Sequence, residues 1–142
     1  MSEPIGFLIS DTARLYRRAF DARTRDSGFT SLQWRLMKHV QSGEGARHGP
    51  LAEYLEVEPI TLSRMIDRLV ESGLVERRPD PADRRARLLF LTPRAHALLK
   101  SIQPAAERQA EAATEGLTSE ERARLLDLVR RVRSNLSRRV ED

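Results

Sequence analysis

Two short stretches hold most of the side chains able to do recognition chemistry. The first lies at the start of an expected helix, where Ile60, Thr61, Ser63 and Arg64 are followed one turn later by Arg68. A helix fits the major groove of B-form DNA, and side chains near its N-terminus reach base edges. Arg64 has the planar fork that guanine accepts, the Ile60 side chain or the Thr61 methyl can meet a thymine methyl, and Arg68 suits a phosphate. The second stretch is "RRPDPADRRARLLFLT", Arg77–Thr92. A proline-stiffened turn there is followed by Asp83, Arg84 and Arg85. An arginine at a projecting hairpin tip can enter the minor groove, where narrow A·T tracts concentrate negative potential. Asp83, two residues earlier, can hold the Arg85 guanidinium in one orientation and lower the entropy lost on binding.

This is binding chemistry rather than bond-breaking chemistry. No nucleophile–base pair stands in a recognisable context, no glycine loop is built to cradle phosphate, and cysteine is absent. The three histidines, His39, His48 and His96, lack metal-ligand spacing, so neither a metal nor a cofactor is expected. Double-stranded RNA would call for basic residues spread along a surface. The remaining rival is a winged helix used only for protein contacts, which has no need of Asp83 and Arg85 at a tip beside a polar Arg64 face.

The elements that must position these residues follow from periodicity and punctuation. "PIGFLISDTARLYRRAFDART" is a helix, with Ile5, Leu8, Leu15, Tyr16, Ala19 and Phe20 at helical spacing. "FTSLQWRLMKHV" carries a full start signal: Thr30 as cap, Gln33 as capping-box partner and Phe29 as a staple onto Trp34. A glycine-bearing loop spans 42–49. "PLAEYLEV" starts a short helix at Pro50, and "EPITLSRMIDRLVESG" a longer one at Pro59, with Gly73 just past its end. Leu62, Ile66, Leu69 and Val70 form the core stripe of the longer helix. Two helices joined so tightly make a helix-turn-helix. "LVERR" and "ARLLFLT", separated by "PDPAD", make a hairpin. Two more helices close the chain: one begins after Thr92 and contains Pro104, a point of kink or local break. The other opens on a Thr118/Glu121 capping box and has an apolar stripe at Leu125, Leu128, Val129, Val132 and Leu136.

The expected fold is therefore mainly α with a small β-wing: a winged helix-turn-helix over 30–92, flanked by helices at 1–28 and 93–142, in a single domain over 1–142. The flanking stripes need burial, and a second copy of the chain is the economical partner. The length of 142 residues supports one real core. No apolar run spans a bilayer and no signal peptide is visible, which makes the cytoplasm the default location. Net charge is +4, but bulk charge does not argue for nucleic acid. Residues 51–92 carry 7 basic and 8 acidic side chains. They are sorted by position, with acids dominant up to Glu76 and arginines after it.

"SRMIDRLVESGLVERRPDPADRRARLLFLT" resembles the core of the MarR family of winged-helix transcription factors. The matching pieces are Leu69, Gly73, Leu74, Val75 and Arg77, then Asp80, Pro81, Asp83, Arg84, Arg85 and Ala86, then Leu91 and Thr92. "DRRA" leans toward the SlyA-type branch. The resemblance implies a homodimeric regulator, most commonly a repressor, on a pseudo-palindromic DNA operator. Dimerisation would use the first and the last two helices. It assigns base contacts to Ile60, Thr61 and Arg64, the minor groove to Arg85 with Asp83 as brace, and phosphates to Arg84 and Arg77. Two departures from the pattern stand out. Glu58 stands where a better capping residue is common, and Leu88 and Phe90 replace polar residues on the outer side of the wing strand. Many relatives respond to small aromatic anions. Trp34 and Lys38, four apart on one helix face, match positions used for salicylate-like ligands, with Arg14, Arg17 and Arg77 as further positive charge. The alternative for Trp34 is a plain core role, with Lys38 solvated.

Overall fold

The computed structural model describes residues 2–43 and 45–140. Among them are six α-helices and one hairpin: α1 (Ile5–Arg23), α2 (Ser31–Ser42), α3 (His48–Leu55), α4 (Pro59–Glu71), β1 (Val75–Asp80), β2 (Asp83–Leu91), α5 (Pro93–Ala113) and α6 (Ser119–Val140). A single 3-10 turn at Arg25–Ser27, which the sequence does not advertise, separates α1 from α2. The chain divides into two compact units, Met1–Gln109 and Ala110–Asp142. No described helix is long and apolar enough to cross a membrane.

In the larger unit, α4 forms where its sequence has a proline at the first helical position, whose missing N–H has no intrahelical partner there, and it ends at Gly73, in left-handed backbone with φ +74°. Its stripe of Leu62, Ile66 and Leu69 is fully buried, while Val70 is only partly so. That stripe joins Leu36, Met37 and Val40 of α2, Leu51 and Leu55 of α3, Val75 and Leu89 of the hairpin, and Ala95, Leu99 and Ile102 of α5 in one core. The α2 capping box is present in both directions: the Gln33 N–H donates to Thr30 Oγ1 at 3.1 Å, and the Thr30 N–H donates to Gln33 Oε1 at 3.0 Å. The aromatic partner of Trp34 is Phe20 of α1, with ring centroids 5.4 Å apart. Phe29 is buried in the core.

Three boundaries differ from the sequence-based expectation. Helix α3 starts at His48 rather than Pro50. Pro50 is tolerated as the third helical residue because that N–H also lacks an intrahelical acceptor. The 42–49 loop is correspondingly shorter; its Glu44 lies outside the described residues. The hairpin is longer than expected. Asp80 pairs with Asp83, so only Pro81 and Ala82 lie between the paired ends, and Arg84 and Arg85 belong to β2. Helix α5 runs unbroken through Pro104.

The hairpin also gains a third partner. Ala46 forms a two-way backbone bridge with Leu89, at 3.2 and 2.8 Å. The same loop accounts for Leu88 and Phe90. A Cβ placed on Gly45 would lie 3.4 Å from Leu88 and 3.3 Å from Phe90, so the bare backbone of Gly45 covers both side chains at φ +79°. The Arg78 guanidinium also packs on the Phe90 ring, 4.2 Å from its centroid.

Where the hairpin meets α5, Thr92 serves three groups at once. Its Oγ1 donates to the Gly73 carbonyl at 2.6 Å and accepts from the Ala95 N–H at 3.2 Å, while its own N–H donates to the Leu74 carbonyl at 3.2 Å. The cap expected before Pro93 is therefore present and is also tied to the end of α4.

In the smaller unit, α6 opens on a second complete capping box. The Thr118 N–H donates to the Glu121 carboxylate at 2.9 Å and the Glu121 N–H to Thr118 Oγ1 at 3.1 Å. These bonds hold the Glu121 carboxyl below its ordinary pKa. Leu125, Leu126, Leu128, Val129 and Leu136 are all exposed along this helix.

Candidate nucleic-acid interface

Helix α4 is presented by α3 through a three-residue turn, Glu56–Glu58. The turn is closed by Glu56 in left-handed backbone at φ 55° and by the Val57 N–H donating to the Ala52 carbonyl at 3.1 Å. Glutamate is an unusual residue for that conformation, and nothing in the local sequence advertises it. With its inner stripe buried, α4 exposes Ile60, Thr61, Arg64, Asp67 and Arg68; Ser63 is half-buried at the edge of that face. Glu58 makes no side-chain cap, in line with the departure noted from the family pattern.

Between Arg47 and Leu91 the arginines divide into two sets. Arg47, Arg77 and Arg78 are engaged within the chain, with Asp80 at 2.6 Å, with Asp67, and with Glu76 at 3.2 Å. Arg64, Arg68, Arg84, Arg85 and Arg87 are exposed, and none has a hydrogen-bonded or ion-paired side-chain partner among the described residues. Arg77, expected as a phosphate contact, also ties β1 to α4 by pairing with Asp67. The Asp83 brace also differs from expectation. Its carboxylate accepts from the Arg85 backbone N–H at 3.0 Å, not from the guanidinium, so it fixes the strand rather than the side-chain tip.

The turn itself is organised by Asp80, to which the sequence pattern alone assigns no separate task. Asp80 is only 6% exposed. One carboxylate oxygen accepts from the Ala82 N–H at 2.9 Å, the other from Arg47. The only advance signal is the Asp-Pro turn chemistry; the partner is 33 residues away. His48, next to Arg47, has its pKa held below 6.5 by burial first and by the Arg77 guanidinium second, with Asp67 opposing.

The expected effector residues do not gather around one cavity. Trp34 is half-buried against Phe20. Arg14 pairs with Asp11 at 2.8 Å, and Arg17 is exposed on α1. Lys38 lines a cavity of about 250 Å³ together with Gln41, His96, Leu99, Lys100 and Gln103. A neighbouring cavity of about 130 Å³ shares Gln41 and His96 and reaches Arg78 and Phe90. Gln41 of α2 and His96 of α5 approach to 3.5 Å. Trp34 packs on Phe20 and takes no part in lining the Lys38 cavity.

Comparison with known proteins agrees with this geometry. The MarR family model matches residues 29–86. MarR from E. coli in its apo form is 28% identical, with TM-score 0.85, covering 93% of this chain and 98% of that one. A cysteine-to-serine mutant of E. coli MarR complexed with operator DNA is 29% identical over 91% of this chain and 93% of that one, with TM-score 0.75. BpsR of Bordetella bronchiseptica, whose DNA binding is regulated by 6-hydroxynicotinic acid, is 26% identical over 93% and 94%, with TM-score 0.76. With a winged helix in place and the family's pattern running through α4 and the wing, the chain carries a MarR-type winged-helix core and is similar over nearly its whole length to solved MarR regulators.

Proposed function

We propose that this chain binds double-stranded DNA sequence-specifically as a homodimeric repressor on a pseudo-palindromic operator, and that a small anionic ligand releases it. The observation that carries the reading is the sorting of the arginines. Between Arg47 and Leu91, the arginines without a side-chain partner among the described residues, Arg64, Arg68, Arg84, Arg85 and Arg87, stand on the two elements that a winged helix directs at the major and minor grooves. Ile60, Thr61, Ser63 and Arg64 read base edges, Arg68 and Arg84 take phosphates, and Arg85 enters the minor groove with its strand fixed by Asp83. Arg77 serves as a tie to Asp67. The operator complex of a similar MarR supports the docking mode.

Dimerisation falls to residues 1–28 and 93–142, so that 1–142 acts as one functional domain around the 30–92 core. In support, α1 exposes Ile5, Phe7, Leu8, Ile9, Leu15 and Tyr16, and α6 exposes its own stripe. The ligand reading rests on the Lys38 cavity. Two ammonium groups and an imidazole surround it, with two amides, one leucine wall and no carboxylate. That lining suits a small carboxylate-bearing, aromatic or otherwise planar ligand. A protein-docking winged helix is the second reading, favoured by the exposed Ile60.

Titration of the chain against its own upstream duplex across a salt series tests the proposal. Affinity should fall steeply with salt as phosphate contacts release counterions. Arg64→Ala should cost roughly 1–3 kcal/mol and relax preference at one base pair. A flat salt response overturns DNA binding and leaves the docking module.

A further inference from the structure

The ion pair between Arg47 and Asp80 joins parts of the winged helix that the sequence keeps far apart. Arg47 is the residue on which α3 begins, its carbonyl accepting the Leu51 N–H at 3.2 Å. Asp80 closes β1 at the tip of the wing, where the strand register shifts. Asp80 is buried, so its charge needs compensation, and both its oxygens are used. One takes Arg47; the other takes the Ala82 N–H and thereby shapes the turn. Asp83 follows at once and holds the Arg85 N–H. Hydrogen bonds thus run from the start of the helix-turn-helix to the turn, and the strand pairing of Asp80 with Asp83 leads on to the backbone that carries Arg84 and Arg85. The lower part of the wing is held separately, by Arg77 on Asp67 and by the Ala46–Leu89 bridge.

We infer that Arg47 is a positioning residue for DNA recognition: through Asp80 it orders the wing turn, and so fixes where Arg84 and Arg85 meet the duplex, without itself contacting DNA. A wing ordered before binding loses less entropy on docking. This rests on the DNA-binding reading given above. It predicts an energetic signature that a phosphate contact would not share. Truncating Arg47 should matter only while the wing arginines are present to be positioned.

The test has two arms. In the free protein, backbone amide relaxation at Ala82 and Arg85 should report increased mobility in Arg47→Ala, with substantial recovery in Arg47→Lys. Unchanged relaxation in Arg47→Ala overturns the inference whether or not the chain binds DNA. Should Arg47→Ala fail to fold, Asp80→Asn carries the same arm, since it keeps an acceptor for Ala82 and removes the charge that holds Arg47. In the second arm, Arg47→Ala should weaken operator affinity about tenfold, the middle of the coupling range for residues in one network. The same change in an Arg84→Ala/Arg85→Ala background should have almost no effect, and it should leave the salt slope of binding unaltered. An undiminished loss in that background, with a shallower slope, makes Arg47 a phosphate contact and overturns the inference. A wild-type chain that ignores duplex DNA sinks the functional reading, while the relaxation arm still decides whether Arg47 orders the wing.

Discussion

Helices α4 and α6 are both amphipathic, with apolar residues recurring three and four apart, yet they meet opposite fates. On α4, Ile66 is 0% exposed and its stripe is enclosed by its own chain. On α6, Val129 is 57% exposed and its stripe lies open. Their starts contrast as well: α6 opens on a complete capping box, whereas α4 has no side-chain cap. A helix held by tertiary packing can do without a side-chain cap, though the equally buried α2 has one, whereas a helix without such packing leans on local signals. The pattern of a helix therefore tells that a face must be buried, and only the rest of the chain tells whether it already has been.

The sharpest way to break this contrast is to remove volume from each stripe. Ile66→Ala should destabilise the chain by roughly 2–5 kcal/mol in urea unfolding, at every protein concentration, because the cavity lies within one chain. Next in size, paired Leu126→Glu and Val129→Glu changes should shift the sedimenting species from dimer to monomer and remove the concentration dependence of Tm. A dimer that survives both changes would separate exposure on α6 from self-association. The smallest effect should come from His48. Its folded pKa lies below its ordinary 6.5, so the folded chain binds fewer protons than the unfolded one as pH falls through that value. Stability should be full above that value and decline as pH falls below it, and His48→Gln should flatten the dependence. Asp67 of α4 faces this histidine, so the pH response belongs to the α4 side of the comparison.

Much of this molecule is legible along the chain, because much of it is decided locally. Both capping boxes, the proline that opens α4, the glycine that closes it and the Thr92 cap each lie within four residues of their partners. The buried stripe of α4 follows from period alone. What escapes depends on distant partners. Arg47 finds Asp80, Ala46 bridges Leu89, and Gly45 lies on Leu88 and Phe90, pairings separated by more than thirty residues with no sequence signature. The same holds for Arg77, whose charge suggests a phosphate and whose actual partner, Asp67, sits ten residues back on another element. Trp34 and Lys38 share a helical spacing, but Phe20 claims the indole. Spacing selects which side chains share a face; it does not select what that face meets.

Thr92 has a consequence of a mechanical kind. Its hydroxyl hydrogen goes to the last turn beyond α4, and its oxygen holds the first amide turn of α5, so the two helices meet at a short, doubly bonded joint with little slack. The joint ties the start of α5 to the C-terminal end of α4, the end opposite Ile60 and Thr61. Helix α4 is thereby held at its C-terminal end, while Ile60 and Thr61 at its other end stay exposed.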